Sequence, residues 1–512
     1  MLEEKILVID YGSQYTQLIA RRVRENNAFC EVHHSEYLND HSNFNNVIGI
    51  ILSGGPNSVS KNNDYDLPDI LFKKNIPILG ICFGMQLICK KFNGKVKKTS
   101  SGEYGKASLE IIKNVKILEG LEKYLEVWMS HGDSVVELPK DFSSIATTNT
   151  EGFSAIKADN QEIYGIQFHP EVTHTLDSGK IISNFVKNIC CSRGGWTTKN
   201  IIEQQVSRIK EKVKDDHVIL GLSGGVDSSV AAAIIHQAIK KKLTCIFIDN
   251  GLLRLNEKEQ VKEGFKDFKN INIIYVDASN IFLERLKNVF DPEEKRKIIG
   301  KTFIDVFQEE AKKIKNAKWL AQGTIYPDVI ESAASSDQAH LIKSHHNVGG
   351  LPKDMELRLL EPLRELFKDE VRKLGIELGL DKKLINRHPF PGPGLAVRIL
   401  GEVKKDYADI LRQADNIFIE MLHERNLYNK ISQAFTVFMP VKSVGVTGDG
   451  RTYGNVVSLR AVKTIDFMTA KPFEFPFSFL EEVSTKIINN VPGISRVCLD
   501  ISSKPPATIE WE

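Results

Sequence analysis

The chain has 512 residues, which at roughly 100 to 200 residues per domain predicts about three folded domains. Its hydrophobic fraction of 42% and charged fraction of 26% are typical of globular proteins and exclude collagen-like and disordered chains. With 68 basic and 66 acidic side chains the formal net charge is +2, so we expect no nucleic-acid partner.

Cysteine usage and the N-terminus both bear on the compartment. Seven cysteines are an odd number, which favours a reducing environment over a disulfide framework. The first residues, MLEEKILVIDYG, have acids where a signal peptide would have bases, and no apolar run approaches the roughly 18 residues that span a bilayer. We therefore expect a cytoplasmic protein with no membrane partner.

Short β-branched runs alternate with amphipathic stretches in the first third of the chain. The runs cover residues 5–10, 47–52, 76–79 and 163–168. This alternation predicts an α/β fold, with a parallel sheet covered by helices. The polar segments YGSQ, SGGP and HPE follow three of these runs, and the carboxyl ends of parallel strands share one edge of the sheet. We expect these segments to converge on one site.

The segment ILGICFGMQ is typical of a nucleophile at a tight strand-to-helix turn. Gly80 and Gly84 flank Cys82, and a helix N-terminus favours the reactive thiolate. FHPEV supplies His169 and Glu171, which point to the same side if the stretch is extended. A lone buried cysteine is more often a small core residue, but the glycines and the HPE segment together favour a Cys, His, Glu arrangement for acyl transfer. A histidine before a glycine turn, such as His131 in MSHGD, is by itself more often structural.

The segments DYGSQ, SGGP, ICFGMQ, SHGD and FHPE, in this order, resemble the class I glutamine amidotransferases over about residues 1–190. The resemblance implies that Cys82 attacks the side-chain amide of glutamine and releases ammonia, with His169 as acid and base and Glu171 as its orienting partner. It also assigns oxyanion and glutamine binding to Gly55, Phe83, Gln86 and Asp133.

A second site is predicted at GLSGGVDSS, residues 221–229, which follows an apolar run and opens a helical pattern. Exposed backbone N–H groups at a helix N-terminus bind phosphate, and the absence of a following lysine excludes a Walker A loop. An ordinary Gly-Ser turn is the alternative. The loop resembles that of the ATP pyrophosphatases, which implies ATP binding by Ser223, Gly224, Gly225, Val226, Asp227, Ser228 and Ser229. Asp227 is then the expected Mg²⁺ ligand. NAD synthetases, asparagine synthetases and tRNA-thiolating enzymes share this loop, so it does not select the substrate.

Glycine and proline mark two predicted boundaries. Gly194 and Gly195 interrupt the periodicity near residues 190–200, and HPFPGPG at 388–394 suits no helix or strand interior. We therefore predict three domains: a class I amidotransferase domain with a parallel sheet at 1–195, a Rossmann-like ATP pyrophosphatase domain at 196–394, and a smaller α+β domain at 395–512.

Further segments extend the resemblance to essentially the whole chain. DPEEKRKIIGKTFIDVF, AQGTIYPDVIES, IKSHHNVGGLP, HPFPGPGLAVR and SKPPATIEWE are similar to the glutamine-hydrolysing GMP synthases. These ligases of purine biosynthesis use ATP to adenylate the C2 oxygen of xanthosine 5′-monophosphate (XMP), and ammonia then displaces AMP to give GMP. The resemblance implies glutamine, XMP and ATP as substrates, and a homodimer formed through the third domain.

The same resemblance assigns residues to the synthetase half. Adenylation and a mobile lid are assigned to Asp328, Glu331 and Lys343, with His345 and His346 as weaker candidates because histidine pairs are more often structural. XMP binding is assigned to Arg296, Gln433, Arg496, Lys504 and Glu510. The segment KPPATIEWE could be a solvated tail, but its apolar content and paired prolines predict a docked one.

Three alternatives make different predictions. A glutamine-dependent NAD synthetase would pair the loop with a nitrilase-like thiol domain. A regulatory nucleotide-binding protein would lack a residue of the triad or the loop. A tRNA-thiolating enzyme would need paired reactive cysteines and a basic face. None of these features is evident in the sequence.

Overall fold

The computed structural model describes residues 4–59, 65–149, 152–172, 175, 177–329, 357–447, 450–464, 467 and 469–512. The chain forms two compact units, Met1–Asn200 and Ile201–Glu512. No helix in the described ranges is long and apolar enough to cross a membrane.

A nine-stranded sheet organises the first unit. Its strands are β1 (Lys5–Asp10), β2 (Cys30–His34), β3 (Val47–Leu52), β4 (Ile78–Ile81), β5 (Lys95–Ile111), β6 (Tyr124–Glu137), β7 (Phe142–Thr147), β8 (Ala155–Ala158) and β9 (Ile163–Ile166). The strand order is β2-β1-β3-β4-β9-β8-β7-β5-β6. The first five strands of this order are parallel and the remaining pairings are antiparallel. The predicted parallel sheet is confirmed, with an antiparallel extension.

Helices connect these strands. They are α1 (Thr16–Glu25), α2 (Ile70–Lys73), α3 (Phe83–Lys91) and α4 (Ser178–Asn184), with 3-10 turns at Ser35–Asn39, His41–Phe44 and Lys116–Leu118 and a π turn at Phe185–Ile189. The runs predicted at 5–10 and 47–52 are strands with the same bounds. The run predicted at 76–79 begins as a strand only at Ile78, since Pro77 has no N–H for a ladder, and it continues to Ile81.

The second unit begins with a five-stranded parallel sheet. Its strands are β10 (His217–Gly221), β11 (Leu243–Asp249), β12 (Asn272–Asp277), β13 (Ala317–Ala321) and β14 (Arg358–Leu360), in the order β12-β11-β10-β13-β14. The helices of this region are α5 (Thr198–Val213), α6 (Val226–Ile239), α7 (Glu257–Gly264), α8 (Ser279–Arg285), α9 (Pro292–Lys313), α10 (Lys368–Glu377) and α11 (Lys382–Ile385). This is the predicted Rossmann-like arrangement, with α6 following the central strand.

The remaining elements are α12 (Lys405–Glu424), β15 (Gln433–Thr447), β16 (Gly450–Lys463), β17 (Lys471–Pro472), α13 (Phe477–Asn490) and β18 (Ile494–Asp500). β16 pairs antiparallel with β15 and β17 and parallel with β18, so the sheet is mixed. One hydrophobic cluster includes Ile219 and Leu320 of the parallel sheet together with Leu395, Phe418 and Ile494. The core is therefore continuous across residue 395, and the three-domain division stays a prediction.

Two candidate active sites

The thiol of the first unit lies at the junction of β4 and α3. Cys82 has φ +52° and ψ −104°, a conformation that non-glycine residues adopt at a cost and that is typical of strained functional turns. A Cβ at Gly80 would lie 2.6 Å from the carbonyl carbon of Gly84, and a Cβ at Gly84 would lie 2.4 Å from the carbonyl oxygen of Leu52. Both flanking glycines are thus required by close packing of the helix on the sheet.

His169 lies between the thiol and a buried carboxylate. Its Nδ1 is 2.7 Å from Oε1 of Glu171, which is fully buried. Burial disfavours the imidazolium, but hydrogen bonds to Cys82 and Glu171 and their negative charges outweigh it, and raise the pKa of His169 to about 10. The segment is a turn at 170–171 rather than an extended stretch, yet the predicted contact of His169 with Glu171 forms. The three residues are therefore arranged for proton transfer at sulfur.

Strand β6 and helix α1 fix the position of this turn. The backbone N–H of His169 donates to the carbonyl of Trp128 at 3.0 Å, and the Thr175 hydroxyl donates to the carbonyl of His169 at 2.8 Å. The Arg22 guanidinium donates to the carbonyl of Glu171 at 3.2 Å. The main chain that carries His169 and Glu171 is therefore held by hydrogen bonds from Arg22 and Thr175 and to Trp128.

A cavity of about 450 Å³ opens at the thiol. The loops DYGSQ and SGGP line it beside Cys82 and His169, as the sequence predicts for strand ends that share an edge. The residues predicted for oxyanion and glutamine binding, namely Gly55, Phe83, Gln86 and Asp133, all lie in its wall. The cavity is large enough for an amino-acid side chain and its backbone.

Two of the wall residues make specific polar contacts. Gln86 donates from Nε2 to the carbonyl of Asp133 at 2.8 Å and to Oε1 of Gln167 at 3.3 Å. The Asp133 carboxylate accepts a short hydrogen bond from Ser58. These contacts orient the carboxylate at the cavity wall.

Sequence reasoning missed several neighbours of the thiol. Gln167 donates to the Cys82 sulfur at 3.6 Å, and the ring of Tyr15 is 5.1 Å from that of His169. His131, considered above in the MSHGD segment, also lines the cavity, and its Nε2 is 3.2 Å from the missed residue Glu103. Gln167 and Tyr15 stand beside the FHPE and DYGSQ segments, so proximity to a motif was the available signal. Glu103 stands beside no motif in the sequence, because the pairing of β5 with β6 brings it to His131.

The second candidate site is the loop between β10 and α6. Gly224 has φ +73°, and a Cβ there would lie 2.9 Å from Val261. The Ser223 N–H donates to the Ser228 hydroxyl at 3.2 Å, and that hydroxyl donates to the carbonyl of Gly225 at 3.1 Å. Serine side chains thus stabilise a turn whose glycines leave the helix N-terminus open, as phosphate binding requires.

Asp227 of this loop fits a cation site. Its Oδ2 accepts from Lys368 at 2.5 Å, while its Oδ1 is shielded from solvent without a hydrogen-bond partner in the part of the chain that the structure describes. Mg²⁺ in phosphate sites takes one or two carboxylates together with phosphate oxygens, so one free carboxylate oxygen at an open helix N-terminus suits it. Lys368 lies 141 residues further along the chain, and no motif in the sequence indicates it.

The predicted adenylation residues are only partly described. Residues 326–329 are helical, and Asp328 accepts from the backbone N–H of Ile325 at 2.9 Å. Glu331, Lys343, His345 and His346 lie outside the described residues.

The residues predicted for XMP binding fall into separate places. Gln433 donates to Glu510 at 2.7 Å, so these two form one polar pair. Arg296 contacts the main-chain oxygen of Glu512 in the same terminal segment. Arg496 donates to the Ser443 hydroxyl at 2.8 Å, and Lys504 donates to the carbonyl of Phe467 at 2.7 Å. The structure brings together Gln433 and Glu510, whereas Arg496 and Lys504 contact other residues.

The fold and the two sites define a class of protein. A class I glutamine amidotransferase unit contains Cys82 at the turn between β4 and α3. An ATP pyrophosphatase-type sheet in the same chain contains the loop between β10 and α6. The Glutamine amidotransferase class-I family matches residues 7–189, the NAD synthase family matches residues 198–296, and the GMP synthase C terminal domain family matches residues 420–511. The class is therefore a glutamine-dependent, ATP-using ligase.

Curated relatives identify the particular family. The chain is 58% identical over 511 residues to the GMP synthase [glutamine-hydrolyzing] of Aliivibrio fischeri, with 100% of this chain and 99% of the relative covered. It is 59% identical over 519 residues to the protein of that name from Photobacterium profundum, covering 100% of this chain and 98% of the relative. The chain belongs to the family of glutamine-hydrolysing GMP synthases.

Proposed function

We propose that the first unit hydrolyses glutamine through Cys82, His169 and Glu171. The Cys82 sulfur attacks the side-chain amide carbon, and His169 gives the departing nitrogen its proton, so that a γ-glutamyl thioester forms and ammonia leaves. Water, deprotonated by His169, then releases glutamate and restores the thiol. The observation that carries this proposal is the buried imidazole of His169 between Cys82 and Glu171, since its contacts with both residues keep it charged and the contact with Glu171 orients it.

Backbone amides would stabilise the oxyanion that forms during the attack. The amides of Gly55 and Phe83 are the candidates, because both residues line the cavity and Phe83 is the first residue of α3. A correctly placed donor of this kind is worth about 3 kcal/mol in comparable sites. Gln86 and Asp133 are the proposed contacts of the substrate glutamine.

The second unit is proposed to activate XMP. The loop at 223–229 would bind the phosphates of ATP, and Asp227 would hold Mg²⁺, which neutralises the charge of the departing pyrophosphate when bound. The C2 oxygen of XMP attacks the α-phosphorus and pyrophosphate leaves; ammonia then attacks C2 and AMP leaves, giving GMP. We assign XMP binding to Arg296, Gln433, Arg496, Lys504 and Glu510, and adenylation to Asp328, Glu331 and Lys343.

We also propose a cytoplasmic homodimer. All seven cysteines are free thiols, which fits a reducing compartment. Exposed apolar side chains lie along the β15–β16 hairpin, at Val441, Val444, Val446 and Tyr453, and such a surface is typical of subunit contacts. Light scattering should give twice the chain mass of 57.6 kDa, and a monomer at micromolar concentration would contradict this assignment.

The test of the whole scheme is a product balance. The purified protein is incubated with XMP, ATP and Mg²⁺ and with either glutamine or an ammonium salt. We expect GMP, AMP and pyrophosphate in equal amounts with both donors. Hydrolysis of glutamine without loss of XMP would retain the amidotransferase assignment and reject the proposed acceptor.

A further inference from the structure

Three cationic side chains in the described part of the chain have no exposed surface at all: Lys295, Arg398 and Arg460. They come from different elements, α9, the 3-10 turn Gly394–Arg398 and β16. A buried cation is costly unless it is paired and fully hydrogen-bonded. What these three contact is therefore informative.

All three side chains form hydrogen bonds with the terminal segment, residues 502–512. Lys295 contacts the Glu512 carboxylate and also donates to the carbonyl of Ile399 at 2.8 Å. Arg398 donates from Nε and Nη2 to the two oxygens of Glu510, at 3.1 and 2.8 Å. A forked contact of this kind fixes both the position and the rotation of a carboxylate.

Arg460 holds the main chain of the same segment. Its guanidinium donates to the carbonyls of Ser502, Thr508 and Ile509, at 2.6, 3.0 and 3.3 Å, and pairs with Asp500 at 3.2 Å. The terminal segment contains neither helix nor strand, and Ile509 is its buried hydrophobic residue. Ile509 packs in a small apolar cluster with Phe435 and Val437, and Lys504 forms a backbone bridge with Ala470. The buried cations act in addition to these contacts, and Lys295 and Arg398 bind the carboxylates of the segment.

The carboxylate of Glu510 is the group in the terminal segment whose orientation these contacts fix. Arg398 and Gln433 both bind its carboxylate, which remains 17% exposed. A structural tail could be docked by apolar side chains at lower cost, so three buried cations on a short irregular segment indicate that the orientation of its carboxylate matters.

We propose that Lys295, Arg398 and Arg460 are positioning residues that set Glu510 and Gln433 for the acceptor nucleotide. This inference rests on the proposed role of Glu510 and Gln433 in XMP binding. The three cations act through the terminal segment and do not contact the substrate themselves.

The test is Arg398→Lys, which keeps a buried positive charge but removes the fork. Initial rates are measured with ammonium as the nitrogen donor, so that the glutaminase plays no part. We expect the KM for XMP to rise about tenfold while the KM for ATP stays within about twofold. Arg425→Lys is the matched control, because Arg425 forms an exposed pair with Glu482 and should leave both constants unchanged.

Hydrogen exchange supplies a second readout. XMP alone should slow amide exchange in residues 502–512 of the wild type, and the same XMP concentration should do so far less in Arg398→Lys. If that variant does not fold, Glu512→Gln takes its place in both assays, because it keeps an acceptor for Lys295 while removing the paired charge.

An unchanged KM for XMP, or a parallel rise in the KM values for XMP and ATP, would overturn the inference. A wild type that neither binds nor converts XMP would instead reject the proposed function, so the two failures are distinguishable.

Discussion

The charge of His169 is the residue-scale feature on which the proposed hydrolysis of glutamine depends. Its imidazole is buried, yet its contacts with Cys82 and Glu171 raise its pKa to about 10. A histidine at an ordinary pKa would be mostly neutral at pH 7.5. In this site it is charged there, so it can donate a proton to the departing nitrogen.

The raised pKa of His169 predicts a pH-dependent stability. The folded state binds a proton that the unfolded state loses above about pH 6.5, so the contribution is fully present below that pH and is lost as pH rises through about 10. Thermal unfolding of the wild type and of His169→Gln should therefore differ most below pH 6.5 and converge toward pH 10. A difference in melting temperature that is constant across this range would contradict the assigned charge.

For the second site, the prediction concerns the charge of Asp227. Its Oδ1 has no hydrogen-bond partner among the described residues, and the Asp227→Asn variant removes the charge at that position. We expect pyrophosphate release to fall by roughly a hundredfold or more with either nitrogen donor. Asp305→Asn is the control, since Asp305 forms a surface pair with Arg285. Wild-type pyrophosphate release in Asp227→Asn would exclude the cation assignment.

The sequence predicted the residues that stand within short motifs, but it did not predict the distant residues that contact them. Cys82, His169 and Glu171 stand within short patterns whose spacing has a physical reason, and the structure brings them together. Lys368 reaches Asp227 and Arg398 reaches Glu510 across 141 and 112 positions. Such pairs depend on tertiary packing, which no local pattern encodes.

At the scale of elements, the site depends on how closely α3 approaches the sheet. The approach is set by Gly80 and Gly84, and it places the first turn of α3 beside the loops after β1 and β3. Predicted strands with buried β-branched residues matched the structure closely, whereas the ends of β4 and β9 shifted by two residues. Pro77 interrupts the backbone hydrogen bonds before β4, and the turn that carries His169 ends β9. Hydrophobic periodicity does not indicate either interruption.

Gly84→Ala tests this packing. The added Cβ would lie 2.4 Å from the Leu52 carbonyl oxygen, so we expect a loss of roughly 1–3 kcal/mol in the free energy of unfolding. Gly179→Ala in α4 is the control, because a Cβ there meets nothing within 4 Å and alanine favours a helix by up to about 1 kcal/mol. Urea unfolding followed by tryptophan fluorescence compares the two. Equal urea midpoints for Gly84→Ala and the wild type would show that the turn between β4 and α3 tolerates a side chain at residue 84.

At the scale of the whole molecule, the proposed function joins two chemistries in one chain, with ammonia as the intermediate that they share. Each compact unit contains candidate groups for its own step: a thiol with its proton donor in one, and the loop at 223–229 with the Asp227 carboxylate in the other. We therefore predict that the two steps are separable, since externally supplied ammonia should replace the product of the first unit.

Cys82→Ala tests this separation most directly. Synthesis of GMP from XMP is measured with glutamine and with ammonium. The control is Cys89→Ala, because Cys89 lies in the core on α3, the helix that begins directly after Cys82, and burial raises its pKa to about 12. We predict that Cys82→Ala loses glutamine-dependent synthesis by more than about a hundredfold and retains ammonium-dependent synthesis within about twofold. Equal loss with both donors, or full synthesis from glutamine, would contradict the account.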